Sequence, residues 1–281
     1  MTEMDLRLLG QKDAFPLHVL RRLEATPLDY SEKHLSIVRS NAEGGRHLAA
    51  GVVVLLSYRN SEYVFQLIKR SETVAQAGDI SCPGGMLERK TDEMLGHILL
   101  KTGIIRAADG RALDALPGRD EQTLGLVRLF LMNALREAWE EIGLSPLNVA
   151  YLGALPSYSL AYFARTIFPL VALVREPYSF QFSGEVEKVL EIPLRCFFER
   201  SSYALVEIES EPGSADPRYQ VKFPGLVLPD GNGQNDILWG ATFYIVTNFL
   251  KLVYPESFPD ISPVRTVRRV LSPTYATGRR S

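Results

Sequence analysis

Glu137, Glu140 and Glu141 stand at positions i, i+3 and i+4 of one apolar-periodic stretch. An α-helix advances about 100° per residue, so this spacing projects all three carboxylates into one arc. Like charges so placed repel, and acids in a last turn oppose the helix macrodipole, each by roughly 0.2–1 kcal/mol. Local rules broken in this way often mark function. Hard oxygen ligands converging on one arc suit Mg²⁺ or Mn²⁺. The same residues also suit a plain solvated acidic face, with Arg136 pairing Glu140 at i, i+4. Upstream, Pro83, Gly84 and Gly85 form a breaker triplet where the backbone can turn sharply and approach a ligand.

The elements that must position these residues are readable from periodicity. Leu124, Val127, Leu131, Leu135, Ala138 and Ile142 recur at three and four, giving a helix with one core-facing stripe that Gly143 stops. Before it, Ala50–Tyr58 and Tyr63–Arg70 are β-rich runs around a polar turn, a predicted hairpin, followed by a short run at Asp79–Cys82. Further strands are predicted at Val149–Leu155, Thr166–Val174, Val186–Pro193, Tyr203–Glu209 and Tyr219–Leu228, with a last helix beginning near Asp236. Two helices among many strands, with neither regular alternation nor an internal repeat, predict an α+β sandwich. The stretch from about 94 to 119, short on strand signals and marked by Asp109-Gly110 and Pro117-Gly118, reads as a partly helical insertion. Its apolar residues need a packing partner, which predicts a lid or a homodimer surface.

Composition bounds the function. With 281 residues the chain holds one large domain or two small ones, and its 46% hydrophobic and 23% charged shares are those of a globular protein. A formal net charge of -2 excludes a global basic field, so no nucleic-acid partner is expected. The two cysteines, Cys82 and Cys196, form no CxxC pair and suit a reducing cytoplasm. Met1 to Lys12 carries Glu3, Asp5 and Arg7 and lacks the apolar run of an export signal; Ile237–Val253 falls short of a membrane span and reads as a buried helix. Arg265, Arg268, Arg269, Arg279 and Arg280 read as a solvated terminus. No phosphate-loop or GxSxG motif occurs, the four histidines lack metal spacing, and Ser157 and Ser159 read as loop residues.

Arg136-Glu-Ala-Trp-Glu-Glu-Ile-Gly-Leu144 resembles the second half of the Nudix box, G-x5-E-x7-R-E-U-x-E-E-x-G-U with U apolar, and fills every fixed position of that half. Pro83-Gly84-Gly85 resembles its start, although Gly85 and Arg136 lie much further apart here, the insertion falling between them. Asp92 is the candidate to pair with Arg136. Leu67-Ile-Lys-Arg-Ser71, Gly78-Asp-Ile-Ser-Cys-Pro-Gly-Gly85 and Leu238-Trp-Gly-Ala-Thr242 resemble signatures of the coenzyme A diphosphatase branch, and Gly184-Glu-Val-Glu-Lys-Val189 resembles a strand entry of the family. The resemblance implies a mixed-sheet α/β/α sandwich. It also implies a Nudix hydrolase domain over 49–255, with the insertion inside it, an N-terminal segment 1–48 and a C-terminal tail 256–281. The implied activity is divalent-metal-dependent cleavage of a diphosphate linkage in a nucleotide derivative. Glu137, Glu140, Glu141 and the Gly84 carbonyl would hold the metal, Arg70, Gly84 and Gly85 would meet the substrate, and Arg136 and Glu140 would belong to the catalytic set.

Carboxylates committed to metal are poor proton acceptors, so the base is expected outside the helix. Glu185 is the first candidate and Glu187 the second, at the start of the strand that the family places beside the site; two residues apart on a strand face the same side. Coenzyme A or a derivative leads as substrate. Where that branch carries an Arg and a His after Ser71, however, this chain reads Glu72 to Ala77 without positive charge. ADP-ribose, a dinucleotide or dephospho-coenzyme A therefore stand as alternatives, beside a Nudix-like module that binds without hydrolysing.

Overall fold

The computed structural model describes residues 7–101, 103, 105–113, 119–160, 164–210, 222–229, 235–263, 265–271 and 275. Met1, Glu3 and Asp5, the Pro117-Gly118 turn, the first residues of the strand expected from Tyr219, and Arg279 and Arg280 lie outside them. Two helices, α1 (Ala14–Glu24) and α2 (Tyr30–Ala42), precede the strands β1 (Leu48–Arg59), β2 (Glu62–Arg70), β3 (Ile80–Ser81) and β4 (Gly84–Met86). Then come α3 (Arg89–Lys101), α4 (Glu121–Ile142), β5 (Val149–Ala154), β6 (Tyr158–Leu160), β7 (Arg165–Val174) and β8 (Val186–Pro193). β9 (Tyr203–Ser210), β10 (Lys222–Pro229), β11 (Asn235–Leu238), α5 (Gly240–Val253) and β12 (Thr266–Leu271) follow.

β1 and β2 form the expected hairpin, pairing Leu55 with Gln66 through to Arg59 with Glu62. Asn60 and Ser61 turn it with positive φ, the geometry that matches the twist of the flanking strands. The main sheet runs β3-β2-β1-β7-β5, with β8 on β2, β4 on β1 and β6 on β7; β1 and β7 are parallel and the other pairs antiparallel. One face carries α4, with α2 packed against it, over a core that includes Val53, Leu55, Ile68, Phe130 and Phe168. The other face meets α1 and α5 across Phe15, Phe65, Phe243 and Phe249. This is a mixed-sheet α/β/α sandwich. A second sheet, β11-β10-β9-β12, extends the latter core through Tyr203, Leu226 and Leu238.

Several elements differ from the sequence-based expectation. Beside the expected pair of helices stand α3, from the insertion expected to be partly helical, and α1 and α2, which the N-terminal segment supplies. Phe15, Val19 and Leu23 form a helical stripe that buries against the sheet. The helix expected from Asp236 splits into β11 and α5, broken where Gly240 takes φ +65. In the C-terminal tail, Arg268 and Arg269 lie on β12, paired parallel to β9, rather than in a solvated terminus. The insertion contributes α3, which packs on α4, and Met94 and Ile98 remain exposed on it. Among the described residues no helix is long and apolar enough to cross a membrane.

Candidate active site

α4 carries most of the site, and its position is over-determined. Asp120 caps its start by accepting the Thr123 N–H at 2.8 Å, and Gly143 ends it in the left-handed region at φ +71. Phe130 stacks on Phe168 of β7 with ring centroids 3.9 Å apart, worth about 0.5–1.5 kcal/mol beyond simple burial. The buried Asn133 accepts from the Gly51 N–H at 2.7 Å and donates to the Met86 carbonyl at 2.9 Å, fastening α4 to β1 and β4.

One turn further on, Arg136 gathers acids from two helices. Its Nε donates to Asp92 of α3 at 2.9 Å, Nη1 to Glu140 at 3.1 Å, and Nη2 lies 3.0 Å from Glu137 and 3.3 Å from the Met86 carbonyl. Asp92 is fully buried, and its other oxygen accepts the Glu88 N–H at 2.8 Å. Burial works against the guanidinium's charge, but Asp92, Glu137 and Glu140 outweigh it and hold its pKa well above the ordinary value. The expected Arg136–Asp92 pair is therefore present, across the insertion.

Glu141 leans the other way, accepting the Gly84 N–H at 3.0 Å. Burial pushes its carboxyl up to about 8; Glu137 and Glu185 add to the rise, while the Gly84 N–H and Arg70 oppose it. Burial likewise raises Glu137, against the pull of Arg136. Gly84, at φ +147, has its Cα so close to β1 that an added Cβ would stand 2.3 Å from the Gly51 carbonyl oxygen. A Cβ on Gly85 would meet the Glu137 carboxylate carbon at 2.4 Å, so the bare backbone there leaves the acid its space. The three glutamates thus share one end of α4 but are drawn apart, Glu137 and Glu140 to Arg136 and Glu141 to the glycine turn.

β8 separates the two candidate bases. Lys69 pairs with Lys188 but Arg70 with Val186, so Glu187 is an extra residue and the expected common facing of Glu185 and Glu187 fails. Glu187 sits 3.2 Å from Lys69, which also holds Asp236 at 3.1 Å. Glu185 is exposed just ahead of the strand, and its carbonyl accepts the Ser71 N–H at 2.9 Å. The charges of both Glu185 and Arg70 reach Glu141.

No family model matches the chain. It is 30% identical over 180 residues to the peroxisomal coenzyme A diphosphatase ndx-8 of Caenorhabditis elegans, a match covering 62% of this chain and 60% of that protein. That match joins an unbroken Arg136–Leu144 motif whose arginine pairs an acid after the glycine turn and whose last glutamate caps that turn. The chain is similar to the Nudix hydrolases. It spans about 60% of the length of that curated relative. Solved structures similar to it include a MutT/nudix family protein from Enterococcus faecalis, at 14% identity and TM-score 0.40, covering 83% of this chain and 76% of that one. Another is the NUDIX domain of Shewanella oneidensis NrtR complexed with ADP ribose, at 14% identity and TM-score 0.34, covering 56% and 83%.

The glutamates of α4 fit a hard divalent cation in their chemistry, since Glu141 is buried where a negative charge is unfavourable without a positive partner. Among the described residues no three acids, histidines or cysteines are gathered closely enough to hold one in this arrangement. Asn133 was missed by reading the motif alone. It lies one turn before Glu137 on the same side of the helix, and an amide interrupting so apolar a stretch is the signal that marks it.

Proposed function

We propose that this protein is a Nudix hydrolase that cleaves a diphosphate linkage in a nucleotide derivative with the help of Mg²⁺ or Mn²⁺. The observation that carries the reading is Glu141, buried against the Gly84 N–H beside Glu137, with Arg70 and Glu185 within electrostatic reach. Glu137, Glu140, Glu141 and the Gly84 carbonyl are the groups that would hold the cation. Bound there, it supplies positive charge against the diphosphate and against charge that builds in the transition state. Arg136 orients Glu137 and Glu140, and Arg70 offers a guanidinium to a phosphate oxygen. Glu185 takes the proton from the attacking water, the new oxygen–phosphorus bond forms, and the bridging oxygen leaves with the other phosphate.

Glu187 is disfavoured as base because Lys69 already holds it. Glu185→Gln is expected to lower kcat by about 10²-fold or more and flatten the acid limb of the pH–rate profile, whereas Glu187→Gln stays within about threefold. Unchanged profiles in both variants would remove this loop from the mechanism.

Coenzyme A or a derivative is the leading substrate, supported by the Leu67–Ser71 and Leu238–Thr242 signatures and by the relative's coenzyme A diphosphatase name. Cleavage would give an adenosine 3',5'-bisphosphate and a 4'-phosphopantetheine compound. The uncharged Val74–Ala77 stretch favours a second reading, a diphosphate without the 3'-phosphate, since one missing charge-assisted contact forfeits roughly 10- to 150-fold in discrimination. Offering the purified protein coenzyme A, dephospho-coenzyme A, ADP-ribose and a dinucleotide with Mg²⁺ or Mn²⁺ tests both. Preference for ADP-ribose or the dinucleotide sinks the coenzyme A reading. No turnover of any of them returns the chain to a binding module.

A further inference from the structure

Resting on that hydrolase reading, we infer that Asp79, Arg269 and Trp239 form a latch that positions the substrate-binding Arg70 by gripping the loop between β2 and β3. The loop is closed at its neck, where the Arg70 N–H donates to the Asp79 carbonyl at 2.9 Å and the Gly78 N–H to the Arg70 carbonyl at 3.0 Å. The Arg70 side chain is held by the loop itself, Nε donating to the Ala75 carbonyl at 2.9 Å. Where the loop rests therefore decides where the guanidinium points. Its Nη groups make no hydrogen bond among the described residues, which leaves them for a phosphate.

The loop does not hold this shape alone. Gln76 is a non-glycine residue at φ +58, a conformation that persists only where the surroundings impose it. The chain's C-terminal region imposes it. The Gln76 N–H donates to the Tyr275 carbonyl at 2.6 Å, and Arg269 Nη2 to the Ala77 carbonyl at 3.3 Å. The Asp79 carboxylate then ties three distant segments to the loop's neck. It receives Arg269 Nη2 at 2.6 Å, Trp239 Nε1 at 3.2 Å and the Tyr275 hydroxyl. Arg269 also lies over the Trp239 ring, 5.6 Å from its centroid. The second sheet and the start of α5 thus reach Arg70 through one carboxylate. Asp79 and Arg269 are positioning residues here, since neither is placed against the reacting atoms.

The test uses the full chain with Mg²⁺ and whichever diphosphate of the panel it turns over best. Arg269→Ala is expected to raise KM about tenfold with kcat within about twofold. In an Arg70→Ala background the same change is expected to add less than about twofold, because the two act as one unit. Arg269→Lys is expected to recover part of the loss. An unchanged KM, a fall in kcat alone, or a full tenfold effect without Arg70 would each overturn the latch. If Arg269→Ala does not fold, Asp79→Asn, which keeps the side chain's shape, carries the same cycle. Hydrogen exchange supplies a readout independent of turnover: amides 72–78 are expected to lose protection in the variant. Unchanged protection overturns the latch even when no diphosphate is hydrolysed, an outcome that would separately retire the hydrolase reading.

Discussion

Glu141→Gln is expected to stabilise the metal-free protein in alkaline solution while lowering diphosphate hydrolysis by at least about 10²-fold. Folding lifts this carboxyl from an ordinary 4.5 to about 8, chiefly by desolvation. A carboxyl raised on folding contributes stability that is fully present below its unfolded pKa and lost as pH climbs through the folded one. Wild type should therefore weaken between about pH 4.5 and 8, by a few kcal/mol at most. Glutamine keeps the acceptor for the Gly84 N–H and does not titrate. Denaturant titrations in EDTA from pH 5 to 9 should show the wild-type curve falling away from a flatter variant curve, and Mg²⁺ should close the gap by stabilising wild type alone. Parallel curves for the two proteins would mean that Glu141 pays no such burial penalty.

The largest loss of stability is expected from Arg136→Ala. Removing the guanidinium leaves Asp92, with 0% of its surface exposed, without its cation, and leaves Glu137 and Glu140 beside each other unscreened. Breaking a buried pair from one side costs about 3–5 kcal/mol, a large part of the 5–15 kcal/mol that a domain typically has. Replacing both partners by apolar residues, Arg136→Met with Asp92→Leu, should recover much of that stability without restoring hydrolysis. Urea midpoints of the two variants decide it: equal losses would show that the charge left behind is not the source of the cost.

How much of this was legible follows from range. The β1–β2 hairpin, the limits of β8 and the run of α4 up to Gly143 are local patterns, a two-residue turn, alternation, and a stripe ended by a residue tolerant of positive φ. Within the site, the Arg136–Asp92 pair was foreseeable because a motif prescribes it. The unequal fates of Glu185 and Glu187 were not, because a single unpaired residue on β8 reverses the facing rule and no local pattern marks where it falls. β12 escaped notice for a related reason: its Thr-Val-Arg-Arg-Val-Leu run gains strand character only by pairing with β9, far away in sequence. Asp79 reads as one more loop acid until Arg269 and Trp239 arrive beside it.

Asp92 and Arg136 meet although 44 positions separate them, where the family pattern sets 8. Closure entropy grows only with the logarithm of length, so the longer detour adds about 1–2 kcal/mol, which the packing of α3 on α4 helps to offset. The stretch joining those helices is itself moored midway, with Ile105 and Leu113 buried and the Ala108 N–H donating to the Tyr151 carbonyl of β5 at 2.9 Å. A foreign module is therefore expected to be tolerated at the exposed Asp109-Gly110 turn rather than in place of the whole stretch, leaving the acid and the arginine in register.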